Sequence, residues 1–427
     1  MIATLCELAE AGEPVRSAAE RAWERVRDLR YEVHRRVKLA VLRAFMEEGI
    51  AESDLAATTG YGYDDAARER YEALLARLFG TERALARLSL VSGTHAIVTA
   101  LEACTPPGTV LLSVTGAPYD TLRNAIARAP QALVTRGIGY REVALDASGE
   151  IAADAVAEEL ARGDVGSIFI QRSRGYASRP SLSIAAIERG IAAIRAYAPE
   201  IPILVDDCYG ELVEEREPTH VGADVAIGSL IKNLGGSLAP AGAYVAGRVP
   251  WVERIAVRHY APGLGAALGP TLGYGRALVH GLFLAPLVVE QSVRGLDFAA
   301  ALFDELGYTV DPMPGERRTD IVQAIRLGDP HAVVRFARGL QRALPLNARF
   351  TPEPGPVPGY DVPVVMSSGA FVAGATIELS CDAPLRAPYE VYLQGGVVAE
   401  HVYLGALCAA QAVVEGGAPR AKKGERR

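Results

Sequence analysis

Lysine is rare in this chain of 427 residues, and one lysine stands where its chemistry would be useful. The lysines are Lys38, Lys232, Lys422 and Lys423, and arginine supplies the positive charge elsewhere. Lys232 comes shortly after residues 224–228, a short apolar stretch that predicts a buried strand. A lysine amine can lose its proton and attack a carbonyl group, whereas arginine stays protonated. Lys232 is therefore a candidate nucleophile, although its position would also suit an ordinary lysine of a surface loop.

An aspartate and a small-residue turn offer two further groups. Asp206 directly follows residues 202–205, which predict another buried strand. A carboxylate there costs several kcal/mol unless a positive group compensates it, and the protonated ring nitrogen of a cofactor would be such a group. Ser92, Gly93 and Thr94 open a predicted helix, where unpaired backbone N–H groups would suit a phosphate. A helix cap or a loop residue is the alternative explanation for both motifs.

Three tyrosines stand at positions that favour ligand binding. Tyr119 follows the predicted strand at residues 110–114, and an aromatic ring at a strand end can stack on a flat ligand. Tyr61 and Tyr63 lie beside glycines in the polar loop at residues 58–65. This loop hints at a binding segment, and a pair of surface aromatic side chains is the plain alternative.

An arginine in the last third of the chain could bind a carboxylate. Arg386 follows a predicted strand at residues 375–379, and the planar fork of arginine matches a carboxylate group. Arg172 and Arg174 also follow a predicted strand and are its competitors for that role. A single arginine at such a place could equally be an ordinary surface charge.

The spacing of apolar residues predicts an α/β fold that would bring most of these groups together. After Pro107 the strand-like and helix-like stretches alternate, which indicates a mainly parallel sheet between helices, with ligands at the carboxyl ends of its strands. The predicted strands are residues 110–114, the stretch around 142–143, 167–170, 202–205 and 224–228, and the predicted helices are residues 119–128, 151–161 and 183–197.

The two ends of the chain predict further parts. Residues 15–48 carry apolar side chains at helical spacing and predict one amphipathic helix. A long helix is expected at residues 272–294, and a smaller α+β part follows, with a helix at 330–343 and strands within 364–380. The expected domains are a helical arm (1–60), a large cofactor-binding domain (61–300) and a small domain with a basic tail (301–427).

Composition argues against several functional classes. The net charge of −7 gives no reason to expect a nucleic acid as partner, and no stretch has the apolar length of a membrane span. Five scattered cysteines without CxxC spacing argue against a disulfide framework and a zinc site, and they suit the reducing cytosol. The seven histidines form no metal-binding pattern. We therefore expect a cytoplasmic protein with no bound metal and no membrane partner.

The order of the candidate groups fits one cofactor, pyridoxal 5'-phosphate. A phosphate-binding turn and an aromatic residue come first, then Asp206, and Lys232 follows 26 positions later. Lys232 would form a Schiff base with the cofactor, and Asp206 would keep its ring nitrogen protonated. The turn around Gly93 would hold the phosphate, and Tyr119 would stack on the ring.

Longer segments carry a resemblance to a known family. The sequence resembles the aluminium resistance protein family, also called methionine gamma-lyase-like, in the cystathionine-metabolism branch of fold-type I pyridoxal phosphate enzymes. The matching segments are GYGYDD, SGTHAI, PYDTL, QRSRGY, DDCYGELVEEREPTHVGAD, GSLIKNLGG, GLFLAP, RRTD, IELS and LQGG. The chain departs from the family pattern at Asp207, where asparagine is expected, and at residues 233–236, where a proline-glycine run is expected. The resemblance implies the fold-type I transferase fold.

The resemblance also implies roles for single residues. Lys232 would be the Schiff-base lysine, Asp206 the partner of the pyridine nitrogen and Tyr119 the stacking ring. The residues expected at the phosphate are Gly93, Thr94 and Ser229. The residues expected to act beyond the cofactor are Tyr61 and Tyr63, which would reach into the site of a neighbouring subunit, and Arg386, which would bind the α-carboxylate of the substrate.

The implied activity is that of a carbon–sulfur lyase, which eliminates a thiol from a sulfur amino acid as methionine gamma-lyases and cystathionine lyases do. Lys232, once displaced by the amine of the substrate, would remove the α-proton. The same residues could support transamination or aldol-type cleavage, and a stress-response protein that binds the cofactor with little turnover is the alternative outside enzymes. The implied assembly is a homo-oligomer, either a dimer with shared sites or a tetramer.

Overall fold

The structure is a computed structural model that describes residues 1–417, so the predicted basic tail lies outside the described residues. The chain divides into two compact units. One is Val33–Pro286, and the other combines Met1–Glu32 with the chain from Leu287 onward. The domain boundaries predicted near residues 60 and 300 stay predictions. No helix within residues 1–417 is long and apolar enough to cross a membrane.

The described residues form twelve α-helices. They are α1 (Ile2–Leu8), α2 (Glu13–Val26), α3 (Glu32–Glu48), α4 (Ala66–Leu78), α5 (Gly93–Cys104), α6 (Asp120–Arg123), α7 (Ala153–Leu160), α8 (Ile184–Tyr197), α9 (Val249–His259), α10 (Gly275–Glu305), α11 (Pro330–Gln341) and α12 (Ala399–Glu415). A π-helical turn, Asn124–Arg128, continues α6.

The unit Val33–Pro286 contains a seven-stranded sheet. Its strands are β1 (Arg83–Arg87), β2 (Val110–Ser113), β3 (Gly139–Glu142), β4 (Val165–Gln171), β5 (Ile203–Asp206), β6 (Val225–Ser229) and β7 (Ala243–Gly247). The spatial order is β1-β7-β6-β5-β4-β2-β3, and only the pairs that involve β7 are antiparallel. The predicted strands and the helices between them are confirmed within a few residues at their ends.

Apolar side chains bury both faces of this sheet. Consecutive strand residues alternate between two hydrophobic clusters, so that Leu111 and Phe169 belong to one cluster while Leu112 and Ile168 belong to the other. Helices α5 and α9 contribute to the first cluster, and α7 and α8 contribute to the second. Burial on both faces explains why the strands read as continuous apolar runs. Because both faces of the sheet are apolar, polar side chains can come together only at the ends of the strands.

The second unit contains a five-stranded antiparallel sheet. Its strands are β8 (Thr309–Asp311), β9 (Val322–Arg326), β10 (Val364–Ser368), β11 (Ser380–Pro384) and β12 (Glu390–Gln394), in the order β10-β11-β12-β9-β8. Helix α11 packs closely on α12, since a Cβ atom built on Gly339 would lie 2.5 Å from the carbonyl oxygen of Cys408. The predicted class, an α/β part with a mainly parallel sheet and a smaller α+β part, is confirmed.

Three predicted elements were wrong in extent. The single helix over residues 15–48 is two helices, α2 and α3, although the apolar spacing continues across the break. Helix α10 runs past the predicted end at residue 294, because Asp297 inside it is neutralised by Arg318, whose Nε lies 2.9 Å from Oδ1. Residues 375–379 form turns instead of a strand, because the carboxylate of Glu378 accepts backbone hydrogen bonds from the loop at residues 371–372.

Candidate active site

The carboxyl ends of neighbouring parallel strands bring the predicted groups to one edge of the sheet. Asp206 is the last residue of β5, and Ser229 is the last residue of β6, the next strand in the sheet. Both side chains are buried. Lys232 follows Ser229 by three residues and is half-buried. Ligands of open α/β sheets bind at this edge, so the position of the cluster agrees with the fold.

Helix α5 begins against the same edge. Its N-cap residue Ser92 accepts a hydrogen bond from the backbone N–H of His95 at 3.1 Å. A Cβ atom built on Gly93 would lie 3.4 Å from Ser229 Cβ and 3.4 Å from Cys208 Sγ. Within residues 1–417, the N–H groups of Gly93 and Thr94 donate to no protein acceptor. Two free donors at the positive end of a helix dipole are suited to an anionic oxygen group.

Tyr119 connects this helix start to the neighbouring strands. Its hydroxyl group lies 2.7 Å from the hydroxyl group of Thr94, and its backbone N–H donates to Gln171 Oε1 at 2.9 Å. Burial and the charge of Asp206 raise the pKa of Tyr119 well above its usual value. The tyrosine therefore stays neutral and presents an aromatic face and one hydroxyl group.

The charges of Lys232 and Asp206 affect each other. Burial raises the pKa of Asp206, and the charge of Lys232 and the hydrogen bonds from Cys208 act in the opposite direction. Burial lowers the pKa of Lys232, but interactions with Cys208, Tyr209 and Asp206 outweigh burial and raise that pKa well above its usual value. Lys232 therefore holds its proton more strongly than an ordinary lysine does. Its Nζ atom lies 4.0 Å from the ring centroid of Tyr209.

The loop that carries Lys232 is held by close backbone contacts. A Cβ atom built on Gly281 of α10 would lie 2.3 Å from the carbonyl oxygen of Gly235, so only glycine fits at that contact. The side-chain amide of Asn233 donates to the carbonyl oxygens of Tyr209 and Glu211, at 3.0 and 2.8 Å. The lysine loop is thereby tied to the segment that follows Asp206.

A buried arginine lies behind this edge of the sheet. The guanidinium group of Arg172 is fully buried and donates to Asp207 at 2.7 Å, to Glu214 at 3.0 Å and to Glu217 at 3.3 Å. This arrangement accounts for the aspartate at position 207. Its carboxylate neutralises part of the buried charge of Arg172, which the uncharged side chain of asparagine would not do. Because both terminal nitrogen atoms of this buried guanidinium group already donate to carboxyl groups, Arg172 is not a candidate for binding a substrate carboxylate.

One guanidinium group cannot neutralise all the carboxyl groups around it. Burial and the charge of Asp207 raise the pKa values of Glu211 and Glu217 well above the usual range. Both groups therefore hold their protons to a higher pH than an ordinary glutamate does. Glu211 Oε1 accepts a hydrogen bond from the Tyr244 hydroxyl group at 3.0 Å.

The remaining predicted residues belong to other parts of the chain. Tyr61 and Tyr63 are exposed, by 73% and 56%, on the loop before α4. Buried Arg68 fixes this loop by donating to the carbonyl oxygens of Gly62 and Gly269, at 2.7 and 3.0 Å. Arg386 belongs to the second unit, is half-buried, and lies just after β11. The residues that the structure groups at the sheet edge are Gly93, Thr94, Tyr119, Asp206, Ser229 and Lys232.

The grouped residues fit pyridoxal phosphate. Free N–H donors at the start of α5 and the nearby Ser229 suit a phosphate, a half-buried aromatic ring suits a flat heterocycle, and a buried carboxylate suits a protonated ring nitrogen. Lys232 supplies the amine that such a cofactor requires. No cluster of three or more metal-ligating side chains occurs among residues 1–417.

Sequence reasoning missed several residues of this edge. Tyr209 lies beneath Lys232, Asn233 ties the lysine loop down, and Cys208 contacts the start of α5. Their positions next to Asp206 and Lys232 in the sequence were the available signal. The acidic network around Arg172 had a signal too, since five carboxyl groups follow Asp206 within eleven residues. They are Asp207, Glu211, Glu214, Glu215 and Glu217.

Comparisons with known proteins agree with this architecture. Residues 14–414 match the methionine gamma-lyase family. The YnbB protein of Bacillus subtilis is 41% identical over 383 residues, which cover 89% of this chain and 90% of that protein. A Clostridium acetobutylicum crystal structure, of a protein proposed to be a cystathionine beta-lyase involved in aluminium resistance, has a TM-score of 0.91 at 40% identity and covers 96% of this chain and 97% of its own.

A more distant structure supports the fold alone. The pyridoxal-5'-phosphate-dependent protein YhfS of Escherichia coli has a TM-score of 0.59 at 19% identity, over 91% of this chain and 98% of its own. The chain accordingly has the fold of fold-type I pyridoxal phosphate enzymes.

The raised pKa of Glu211 predicts a pH-dependent stability. Because its pKa is higher in the folded than in the unfolded chain, the folded protein keeps a proton that the unfolded chain releases above the ordinary glutamate pKa, about 4.3. The free energy of unfolding then falls as pH rises through the window between the two values, by about 1.4 kcal/mol per pH unit for one group. Glu211→Gln keeps an acceptor for Tyr244 and cannot ionise, so this part of the slope should disappear.

The measurement is thermal unfolding of the variant and the native protein at about pH 5 and about pH 9. The gain in stability of Glu211→Gln over the native protein should be larger at the higher pH. Glu200→Gln, at an exposed position, is the matched control and should show no such difference. A gain for Glu211→Gln that does not change with pH would contradict the raised pKa of Glu211.

Proposed function

The chain belongs to the methionine gamma-lyase family, and on that premise we propose that it is a pyridoxal-phosphate-dependent carbon–sulfur lyase acting on an amino acid. The observation that carries the proposal is the meeting of Lys232, Asp206 and the free N–H groups of α5 at one edge of the sheet. These are the amine, the acid and the anion site that this cofactor needs. The buried free cysteines agree with a reducing compartment such as the cytosol.

Each residue of the cluster has a task toward the cofactor. The amine of Lys232 would carry the cofactor covalently as a Schiff base, and the carboxylate of Asp206 would hold the proton of its ring nitrogen. Gly93 and Thr94 would bind the phosphate with their N–H groups, Ser229 would assist them, and Tyr119 would cover the ring. When bound, the cofactor supplies an electron sink for the bonds at the α-carbon of an amino acid.

Lys232 would also be the group that moves the proton. Once the substrate amine had taken its place on the cofactor, the Nζ atom of Lys232 would be free to accept the proton from the substrate α-carbon. Release of the sulfur at the β- or γ-carbon then requires a proton for the departing thiol. The cystathionine beta-lyase proposal for the Clostridium acetobutylicum relative supports this direction of chemistry.

The cofactor assignment predicts where the protein can be labelled. Purified protein with bound cofactor should absorb visible light. Borohydride reduction should fix one pyridoxyl group on Lys232, because this lysine lies near buried Asp206 and the start of α5, where the phosphate is expected. Lys232→Ala should lose the visible absorbance, while Lys38→Ala, at a position on α3, should keep it. Peptide mass spectrometry locates the label. A label on Lys38, or absorbance that survives in Lys232→Ala, would contradict the assignment.

The reaction itself is decided by a screen of amino acids for two products. Keto acid released together with a thiol from sulfur amino acids is the expected result. Keto acid that forms only when an acceptor keto acid is supplied would identify an aminotransferase, and release of an aldehyde would identify aldol-type cleavage. Cofactor binding without turnover of any amino acid would favour a binding role over a lyase.

We further propose a homodimer whose two sites are shared. The exposed tyrosine loop is held in shape by Arg68, and the same unit exposes further apolar side chains. Those on helix α3 are Leu39, Leu42 and Met46. A second copy of the chain would cover such surfaces, and Tyr61 or Tyr63 would then line the site of the partner subunit.

A shared site predicts complementation between inactive variants. Lys232→Ala and the double variant Tyr61→Ala/Tyr63→Ala should each have little activity. When the two are mixed and allowed to exchange subunits, mixed dimers carry one intact site, and about a quarter of native activity should return for equal amounts. A mixture that stays inactive although mixed dimers form, or a fully active monomer, would contradict the shared site.

We also propose that Arg386 binds the α-carboxylate of the substrate. The residue follows β11, in a turn where its carbonyl oxygen accepts a hydrogen bond from the N–H of Tyr389 at 2.8 Å. Its planar fork would orient the carboxylate and thereby decide which bond at the α-carbon is cleaved.

Arg386→Lys keeps the charge and loses the fork, so KM should rise about ten- to a hundredfold, the loss expected for a charge-assisted hydrogen bond. The visible absorbance of the cofactor should stay unchanged. Arg342→Lys, at an exposed position of the same unit, is the control and should leave KM unaltered. Native kinetics in Arg386→Lys would remove the carboxylate-binding role from this residue.

A further inference from the structure

The ring of Tyr209 is the closest aromatic partner that the structure gives to the Lys232 amine. Nζ lies 4.0 Å from the ring centroid, which is the geometry of a cation–π contact. Tyr209 is 7% exposed, so its ring is turned inward toward the strand ends. An ammonium ion gains electrostatic stabilisation from an aromatic face, and it gains more when water is largely excluded.

The backbone of Tyr209 is in an unusual conformation. Its φ angle is +73°, in the left-handed region that side-chain-bearing residues rarely adopt. Such a conformation persists only where surrounding contacts hold it. One such contact comes from Asn233, whose amide donates to the Tyr209 carbonyl oxygen at 3.0 Å. Because Asn233 is the residue after Lys232, one short segment fixes both the amine and the ring that receives it.

The hydroxyl group of Tyr209 has its own partner. It lies 3.0 Å from the hydroxyl group of Tyr176, which follows β4 and also has a positive φ angle, +65°. Two residues in the left-handed region thus meet through their side chains at adjacent strand ends. The tilt of the Tyr209 ring is set from both sides, by Asn233 at its backbone and by Tyr176 at its hydroxyl group.

We propose that Tyr209 is a positioning residue for Lys232: its ring holds the amine at a defined resting place and stabilises the ammonium form, and Asn233 and Tyr176 hold the ring. This inference rests on the proposed function for its purpose. When the substrate amine displaces Lys232, the free Nζ atom needs a place close to the substrate α-carbon. When Nζ then accepts the α-proton, the ring lies against the charge that has just formed.

The inference is tested on the full-length chain after removal of any cofactor, by the rate at which acetic anhydride acylates each lysine. Only the neutral amine reacts, so at a fixed pH below the pKa of Lys232 the rate reports the neutral fraction. The chain has four lysines, so peptide mass spectrometry separates them, and Lys38 is the internal standard.

The variants change the electrostatic potential of the ring face while the shape of the ring stays the same. Tyr209→Phe keeps the aromatic face but loses the hydroxyl contact to Tyr176, so it is the reference for the effect of the face alone. A fluorinated phenylalanine incorporated at position 209 keeps the shape but lacks the negative face, and Lys232 should then react about fivefold faster than in Tyr209→Phe. The Lys38 rate should be equal in both proteins, which also shows that the fold is kept.

Equal Lys232 rates for the plain and the fluorinated ring would overturn the inference. In the cofactor-loaded enzyme the fluorinated ring should lower kcat with KM unchanged, because the ring acts on Lys232 and not on the bound substrate. The acylation test needs neither cofactor nor substrate, so it can succeed even if the chain is not a lyase. Conversely, a pyridoxyl label on Lys232 together with equal acylation rates would retain the proposed function and reject the role of Tyr209.

Discussion

The buried ion-pair network of Arg172 holds together the edge of the sheet on which the candidate site is built. Its guanidinium group reaches Asp207 directly after β5, and it reaches Glu214 and Glu217 in the segment that follows. Glu214 in turn accepts the N–H of Ile184 at the start of α8 at 2.8 Å, and Glu217 accepts the N–H of Leu212, also at 2.8 Å. Removing one partner from such a network leaves uncompensated buried charge, which destabilises a protein by about 3–5 kcal/mol. The position of Asp206 therefore depends on contacts made by its immediate neighbour.

This network also sets the electrostatic surroundings of the lysine. The carboxyl groups exceed the positive charge available to them, and burial and the charge of Asp207 raise the pKa values of Glu211 and Glu217. At the end of β5, burial raises the pKa of Asp206, and the charge of Lys232 acts in the opposite direction. An acid and an amine are the two kinds of group that the cofactor needs at its two ends. Glu211 also accepts a hydrogen bond from the hydroxyl group of Tyr244.

The sequence predicted those parts of the site that depend on strand ends. Asp206 and Lys232 follow apolar runs, and parallel strands share one carboxyl edge, so their meeting followed from periodicity and topology. The position of the Tyr209 ring could not be predicted from the sequence. It depends on a left-handed backbone conformation, which the side-chain amide of Asn233 contacts from 24 residues further along the chain. The break between α2 and α3 was also hidden, since the buried residues Val26 and Val37 keep helical spacing across it. The spacing of apolar residues predicts which face of a helix is buried. It does not predict the residue at which tertiary contacts end the helix.

The burial of Cys208 bears on how the protein withstands oxidising surroundings. A thiol attacks a disulfide as its thiolate, so the rate of mixed-disulfide formation follows the ionised fraction. Burial and the neighbouring charge of Asp206 raise the pKa of Cys208 well above its usual value. An exposed thiolate attacks a disulfide, forms a mixed disulfide with one of its sulfur atoms and releases the other as a thiolate. The sulfur atom of Cys208, buried beside the start of α5, is protected from that reaction.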